Sequence, residues 1–189
     1  MASKDIEIEI KFPLKNTEQV IMQLDKVAQL VAKDIFQKDT YFIPHHRNFL
    51  DFEHPYEWLR LRETEKGAAI TYKHFYPENA SKTDYCDEFE SKIHDSIAIA
   101  KILTSLDFKE AVVVEKLRSI WKLRGAEIAI DDVKELGSFI EVEAKDIPGD
   151  PTEVKEVLRN ILTELNAKVG EEDYRGYPFK ILEKKGAFK

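Results

Sequence analysis

Only one cysteine, Cys86, occurs in the 189 residues. A single thiol excludes an internal disulfide framework and a cysteine-built zinc site, and reads as a free thiol of a reducing cytoplasm. Long apolar runs are also missing. No stretch approaches the roughly 20 residues needed to cross a bilayer, and charge begins at Lys4 and Asp5, where a secretion signal would need an apolar segment. The expectation is a cytoplasmic protein with no membrane partner. Positive charge is in deficit: 29 lysines and arginines face 36 aspartates and glutamates, a formal net charge of -7. A uniformly acidic surface repels nucleic acid, so no nucleic-acid partner is expected. The seven glycines are scattered, which excludes a P-loop or dinucleotide-binding fingerprint, and no Ser/His/Asp order is present. His45, His46 and His54 have no carboxylate or cysteine at ligand spacing and read as solvated loop histidines rather than a metal site.

What is present is a chain with enough apolar residues for a core, 43%, and an unusually high share of charge, 34%. Ile6 to Phe12 alternates strictly between apolar and charged residues, the period of a half-buried strand. Asn16 or Thr17 can cap a helix to about Lys33, with Val20, Leu24, Val27 and Val31 on one apolar face. Strands are expected over Phe36–Ile43, Tyr56–Glu63, Ala68–Tyr76, Tyr85–Ile93, Ala111–Leu123, Glu127–Val133 and Ser138–Ala144. Further helices are expected over Ser96–Leu106, over Thr152–Ala167 with Val154, Val157, Leu158, Ile161 and Leu165 turned to the core, and over Tyr177–Lys185. About eight strands with helices at intervals suggest an α+β fold: an antiparallel barrel or strongly curved sheet packed by outer helices.

The polar faces of these strands carry a narrow set of forms. Glu7-Ile8-Glu9-Ile10-Lys11, Arg60-Leu61-Arg62, Lys73, Glu88-Phe89-Glu90, Lys116-Leu117-Arg118, Asp131 and Glu141-Val142-Glu143 succeed one another along the chain. Charges two residues apart point to the same side of a strand. A solvated sheet face would mix its charges, whereas here acid pairs and base pairs occupy separate strands. Seven acids and six bases lining one cavity would be costly if dry and empty, and would suit a highly charged ligand that arrives with cations. A triphosphate with a divalent metal fits. Carboxylates take hard divalent ions, arginines fork onto phosphate oxygens, and lysines meet them as point charges. Glu88 and Glu90 read as surface or supporting residues.

The same residues carry a family resemblance. Glu7-Ile8-Glu9-Ile10-Lys11 is similar to the E-x-E-x-K signature of the CYTH superfamily, named for class IV adenylyl cyclases and thiamine triphosphatases and including inorganic triphosphatases. The order of Asp39-Thr40-Tyr41-Phe42, Leu59-Arg60-Leu61-Arg62, Thr71-Tyr72-Lys73, Glu88-Phe89-Glu90, Lys116-Leu117-Arg118, Ile130-Asp131-Asp132-Val133 and Leu136 to Glu143 agrees with it over nearly the whole chain. The resemblance implies one domain over residues 1–189, an α+β fold with an eight-stranded antiparallel β-barrel, the triphosphate tunnel, and outer helices. It implies metal ligands Glu7, Glu9, Asp131, Glu141 and Glu143, with magnesium or manganese as cofactor. It implies a triphosphate-binding set of Lys11, Arg60, Arg62, Lys73, Lys116 and Arg118, and catalytic roles for Lys11, Glu9 and Asp131.

Two positions depart from the pattern. His74 stands where many relatives carry glycine, and Trp58 resembles the thiamine triphosphatase branch, in which an aromatic ring stacks on the substrate; a core or mouth aromatic is the alternative. The length and the tail Tyr174–Leu182 resemble the class IV cyclase-like members. The expected reaction is ATP to cyclic AMP and pyrophosphate. The alternatives are hydrolysis of tripolyphosphate, thiamine triphosphate or a nucleotide, and a non-catalytic polyphosphate or nucleotide sensor. A monomer or homodimer is expected.

Overall fold

The computed structural model describes residues 6–187. Lys4 and Asp5, which carry the charge argument against a secretion signal, lie outside the described residues. Among the described residues no helix is long and apolar enough to cross a membrane. The strands are β1 (Ile6–Glu7), β2 (Glu9–Pro13), β3 (Gln29–Pro44), β4 (Glu57–Thr64), β5 (Gly67–Tyr76), β6 (Tyr85–Ile93), β7 (Phe108–Leu123), β8 (Ala126–Val133) and β9 (Gly137–Ala144). The helices are α1 (Thr17–Val27), α2 (Ser96–Ser105), α3 (Pro151–Glu164) and α4 (Gly176–Lys184). The strands follow the order β1-β6-β5-β4-β3-β7-β8-β9-β2. Among the described residues nine strands replace the expected eight because the N-terminal strand is interrupted at Ile8.

The backbone groups into two compact units. The first is built on Phe36–Glu115 and takes in Ile6 and the segment from Arg175; the second comprises Glu7–Ile35 and Lys116–Tyr174. In the second unit the period-2 pattern decides the layers. Ile10 and Phe12 of β2, Ile128 and Ile130 of β8, and Ile140 and Val142 of β9 turn to one side. There they pack with Val20 and Leu24 of α1 and Val154, Leu158, Ile161 and Leu162 of α3 in one core. Each such side chain contributes about 1.5–3 kcal/mol on burial. α3 starts cleanly because Asp150 accepts the Thr152 and Glu153 N–H groups at 2.9 and 3.1 Å while Glu153 reaches back, a capping box. In the first unit α2, capped by Asp95 on the Ala98 N–H at 2.8 Å, sets Leu103 against Phe42 of β3 and Leu61 of β4.

Three expectations are corrected. α1 stops at Val27 and β3 begins at Gln29, seven residues ahead of the expected strand. The apolar spacing of Val27 and Val31 looks helical, yet both are about half exposed. With neither residue buried, strand pairing rather than core packing decides the segment. β7 begins at Phe108, three residues early. Val157 is exposed instead of joining the core face of α3.

Candidate functional site

The side of the second unit's sheet opposite the helices carries the charges. Register puts Glu9 across from Glu143, Lys11 across from Glu141, and Arg118 across from Asp131. Directly opposed residues share a face. Lys11 Nζ lies 2.8 Å from Glu141 Oε2 and 3.1 Å from Glu9 Oε1. Asp131, fully buried, takes both arms of Arg118, Nε at 2.7 Å and Nη2 at 2.6 Å, and also Lys116 Nζ at 3.0 Å. Arg118 Nη2 further reaches Glu141 Oε1 at 3.0 Å. These contacts set the protonation states. Burial works against the Lys11 charge, but the carboxylates of Glu141, Glu9 and Asp173 outweigh it and hold the ammonium well above the usual lysine range. Burial works against the Asp131 charge too, and Arg118 and Lys116 overcome it and hold that carboxyl well below its ordinary value. Glu141 is depressed likewise, by Arg118, Lys11 and Lys116 against burial.

In the first unit a corresponding face forms on β3 to β6. Asp39 stands opposite Arg62, Tyr41 opposite Arg60, Trp58 opposite Lys73, and Lys73 opposite Glu88. Asp39, fully buried, takes Arg62 Nε at 2.7 Å and Nη2 at 2.6 Å, with Arg60 Nη1 3.9 Å away. Glu88 lies between Arg60 Nη2 at 3.5 Å and Lys73 Nζ at 3.7 Å, and Glu90 accepts from the Thr71 hydroxyl at 3.1 Å. Trp58 is buried and meets Tyr41 edge-on, with ring centroids 5.6 Å apart. The two units therefore repeat one device. The second base of a base-x-base pair is forked onto a buried aspartate of the neighbouring strand, which fixes the guanidinium plane before any ligand arrives.

A CYTH domain model matches residues 5–177. The chain belongs to the CYTH family. MJ0240 of Methanocaldococcus jannaschii, named a candidate adenylate cyclase, is 37% identical over 163 residues, covering 85% of this chain and 90% of that protein. Among solved structures, the PH1819 protein of Pyrococcus horikoshii is 25% identical with a TM-score of 0.75, covering 94% of this chain and 99% of the other. HpAC1 of Hippeastrum, an adenylyl cyclase candidate described as having a dominant triphosphatase activity, is 15% identical with a TM-score of 0.60. It covers 96% of this chain and 95% of its own. The fold class expected from the sequence, α+β with an antiparallel barrel-type sheet and outer helices, stands on these likenesses.

Of the residues expected to serve the CYTH chemistry, Glu9, Lys11, Lys116, Arg118, Asp131, Glu141 and Glu143 share one face of the second unit. Trp58, Arg60, Arg62 and Lys73 share one face of the first. Glu7 is buried, and its charge bears on Glu143. Among the described residues no three acidic, histidine or cysteine side chains are already set as a metal cage. The carboxylates turn instead to cations, Glu143 to Lys145 among them. The donor set nevertheless fits a divalent ion. Burial and the charges of Glu7 and Glu9 push the Glu143 carboxyl up to about 8 against the pull of Lys145, the mark of acids crowded without enough positive charge.

Sequence reasoning assigned no role to Asp39, although its place in β3 opposite Arg62 carries a signal: a lone acid at the parity of a base pair on the next strand. Lys145 continues the parity of Glu141 and Glu143 and was legible the same way. Asp173, whose N–H donates to the Lys11 carbonyl at 2.7 Å, follows no periodic element and had no local signal.

Proposed function

We propose that this chain is a metal-dependent enzyme acting on a triphosphate, with ATP converted to cyclic AMP and pyrophosphate as the reaction and residues 1–189 as one domain. The observation that carries the reading is the pair of aspartate-clamped base sets, Asp39 with Arg60 and Arg62, and Asp131 with Lys116 and Arg118. Each presents preorientated cations on a charged face, as phosphoryl transfer requires of a protein that contributes mainly positioning and electrostatics. The similarity to the protein named a candidate adenylate cyclase favours the cyclase direction.

In this reading Arg60, Arg62, Lys73, Lys116 and Arg118 take phosphate oxygens. Lys11 stays an ammonium and neutralises developing charge rather than accepting a proton. Asp131, with both oxygens on cations, orients Lys116 and Arg118. Glu7, Glu9, Glu141 and Glu143 would hold magnesium or manganese, which supplies charge neutralisation of the triphosphate and acidifies the attacking hydroxyl. The ribose 3′-hydroxyl gives up its proton to solvent as its oxygen bonds to the α-phosphorus, the bond from that phosphorus to the α–β bridging oxygen breaks, and pyrophosphate leaves. We place the protein in the cytoplasm, as a monomer or homodimer, without nucleic-acid or membrane partners.

A second reading is hydrolysis, in which water attacks the terminal phosphorus of tripolyphosphate, thiamine triphosphate or a nucleotide. The burial of Trp58 edge-on against Tyr41 favours the tripolyphosphate form of this reading, because a ring so placed offers little to a heterocycle and tripolyphosphate has none. The discriminating experiment incubates the protein with ATP, tripolyphosphate and thiamine triphosphate, each with magnesium or manganese, and resolves products by chromatography. Cyclic AMP with pyrophosphate supports the cyclase. Orthophosphate together with the matching diphosphate, which is pyrophosphate, thiamine diphosphate or ADP, and no cyclic AMP, supports hydrolysis. No turnover together with tight tripolyphosphate binding would leave a sensor and overturn both.

A further inference from the structure

The first unit carries a second organised face. Tyr72, His74 and Tyr76 of β5 alternate with Thr71, Lys73 and Phe75 and so point away from the Arg60, Arg62 and Lys73 side of the sheet. Register sets Tyr72 opposite Phe89, His74 opposite Asp87, Tyr76 opposite Tyr85 and Glu57 opposite His74. The result is a row of stacked rings. Tyr72 and Phe89 lie 6.3 Å apart at 7°, His74 and Tyr76 4.6 Å apart at 14°, and Tyr76 and Tyr85 5.2 Å apart at 25°. Phe89 is 54% exposed and contributes little to any core, so its ring is left for something outside the fold.

Carboxylates are set among these rings. Glu57 is 3% exposed and accepts from the Tyr72 hydroxyl at 2.5 Å. Glu78 meets His74 Nε2 at 3.0 Å, and Asp87 lies between the ring pairs in the register. Burial and the Glu57 carboxylate hold the Tyr72 phenol above its usual pKa, so it remains a donor. Glu57 and the ring-bearing positions of β5 and β6 include no lysine or arginine; Lys38 of β3, on the same side of the sheet, is turned to Glu63 at 3.4 Å. The cation that does reach it is Arg47, a half-exposed side chain that follows β3 in sequence, whose Nη2 lies 2.9 Å from Glu57 Oε1. The chain itself thus shows a guanidinium seated on this acid.

We propose that this aromatic and acidic face is a docking surface for a lysine- or arginine-bearing segment of a partner protein. Rings attract cations to their faces, and carboxylates between the rings pair with the same groups. The charge complementarity selects the occupant, because phosphate-bearing partners would meet the accessible carboxylates of Glu78 and Asp87, Glu57 being buried and already paired with Arg47.

The test uses the full chain and a fluorescein-labelled hexalysine peptide, read by fluorescence anisotropy at physiological salt, with hexaglutamate and a thymidine oligonucleotide as controls. Hexalysine is expected to bind and the controls are not. Phe89→Ala and Tyr76→Ala keep the charge and remove one ring each; each should weaken hexalysine by about two- to fivefold, with triphosphate turnover unchanged. A map of backbone amide shifts on the unmodified chain should centre on residues 72–76 and 85–89, which keeps the test independent of the variants' folding. Hexalysine binding that ignores both ring deletions, shifts centred elsewhere, or preferential binding of the oligonucleotide would each overturn the proposal. So would sedimentation showing that Phe89→Ala dissociates a dimer, which would assign the face to a second copy of this chain.

Discussion

Replacing Asp131 by asparagine should destabilise the protein more than any other change on its charged face. The side chain is buried and satisfies two cations, Arg118 through a fork at 2.7 and 2.6 Å and Lys116 at 3.0 Å. Asp131→Asn keeps the volume and removes the charge, leaving the nearly inaccessible Lys116 ammonium without its carboxylate at 3.0 Å. Removing one partner of a buried, hydrogen-bonded ion pair costs about 3–5 kcal/mol, a large part of the roughly 5–15 kcal/mol by which a domain is stable. Urea titration at neutral pH, followed by fluorescence of the buried Trp121 in the same unit, should show the midpoint falling by roughly 2 M for an m-value near 2 kcal/mol/M. The pH dependence has a definite sign. The folded pKa of Asp131 lies below the unfolded one, so its stabilisation is complete above about pH 4, the ordinary aspartate value, and is lost as the pH falls below it. The gap between wild type and variant should therefore be flat from neutral pH to about 5 and close in more acid solution. Tripolyphosphate should restore more stability to the variant than to the wild type, because an anion on Lys116 and Arg118 replaces the missing carboxylate. A loss under about 1 kcal/mol at neutral pH, or a gap that widens on acidification, would refute the account of Asp131 as a buried counter-ion.

Three further outcomes are expected. Glu9→Gln should abolish magnesium-dependent turnover while leaving the thermal midpoint within a few degrees, since Glu9 is half-buried outside the core; unchanged turnover at saturating magnesium would remove it from the site. Arg62→Lys should weaken tripolyphosphate by roughly ten- to a hundredfold in a calorimetric titration although charge is kept, because the fork set by Asp39 is lost; a change under about twofold would place Arg62 outside the binding set. Glu143, held protonated up to about 8, opposes folding as the pH rises toward that value, since its folded pKa lies above the unfolded one. Magnesium has to displace that proton, so its stabilising effect on the thermal midpoint should grow as the pH rises to about 8 and then level, with proton release visible in buffers of different ionisation enthalpy; a pH-independent magnesium effect would show that Glu143 is not a ligand.

The alternation of β2, β4, β8 and β9 was legible in the sequence because side-chain parity is a local property of an extended backbone. It separated Ile10, Ile128 and Val142, which meet the helices, from Glu9, Arg60, Arg62, Asp131 and Glu141, which do not. Chain order added the family. The segment from Val27 to Ile35 was not legible, because exposed apolar residues there fit a helix as well as a strand and pairing decided between them. Asp39 went without a role, and the hold of Asp131 on Lys116 and Arg118 was not foreseen, because these contacts depend on register rather than on spacing. Arg62 meets an aspartate 23 positions away and Arg118 one 13 positions away. Sequence by itself thus determined which residues share a face within each strand and that each face is charged. Only the tertiary structure decided which charge opposes which. Cross-strand register and burial belong to the assembled sheet, and they fork Arg62 onto Asp39, lock Lys116 and Arg118 onto Asp131, and crowd Glu143 with Glu7 and Glu9.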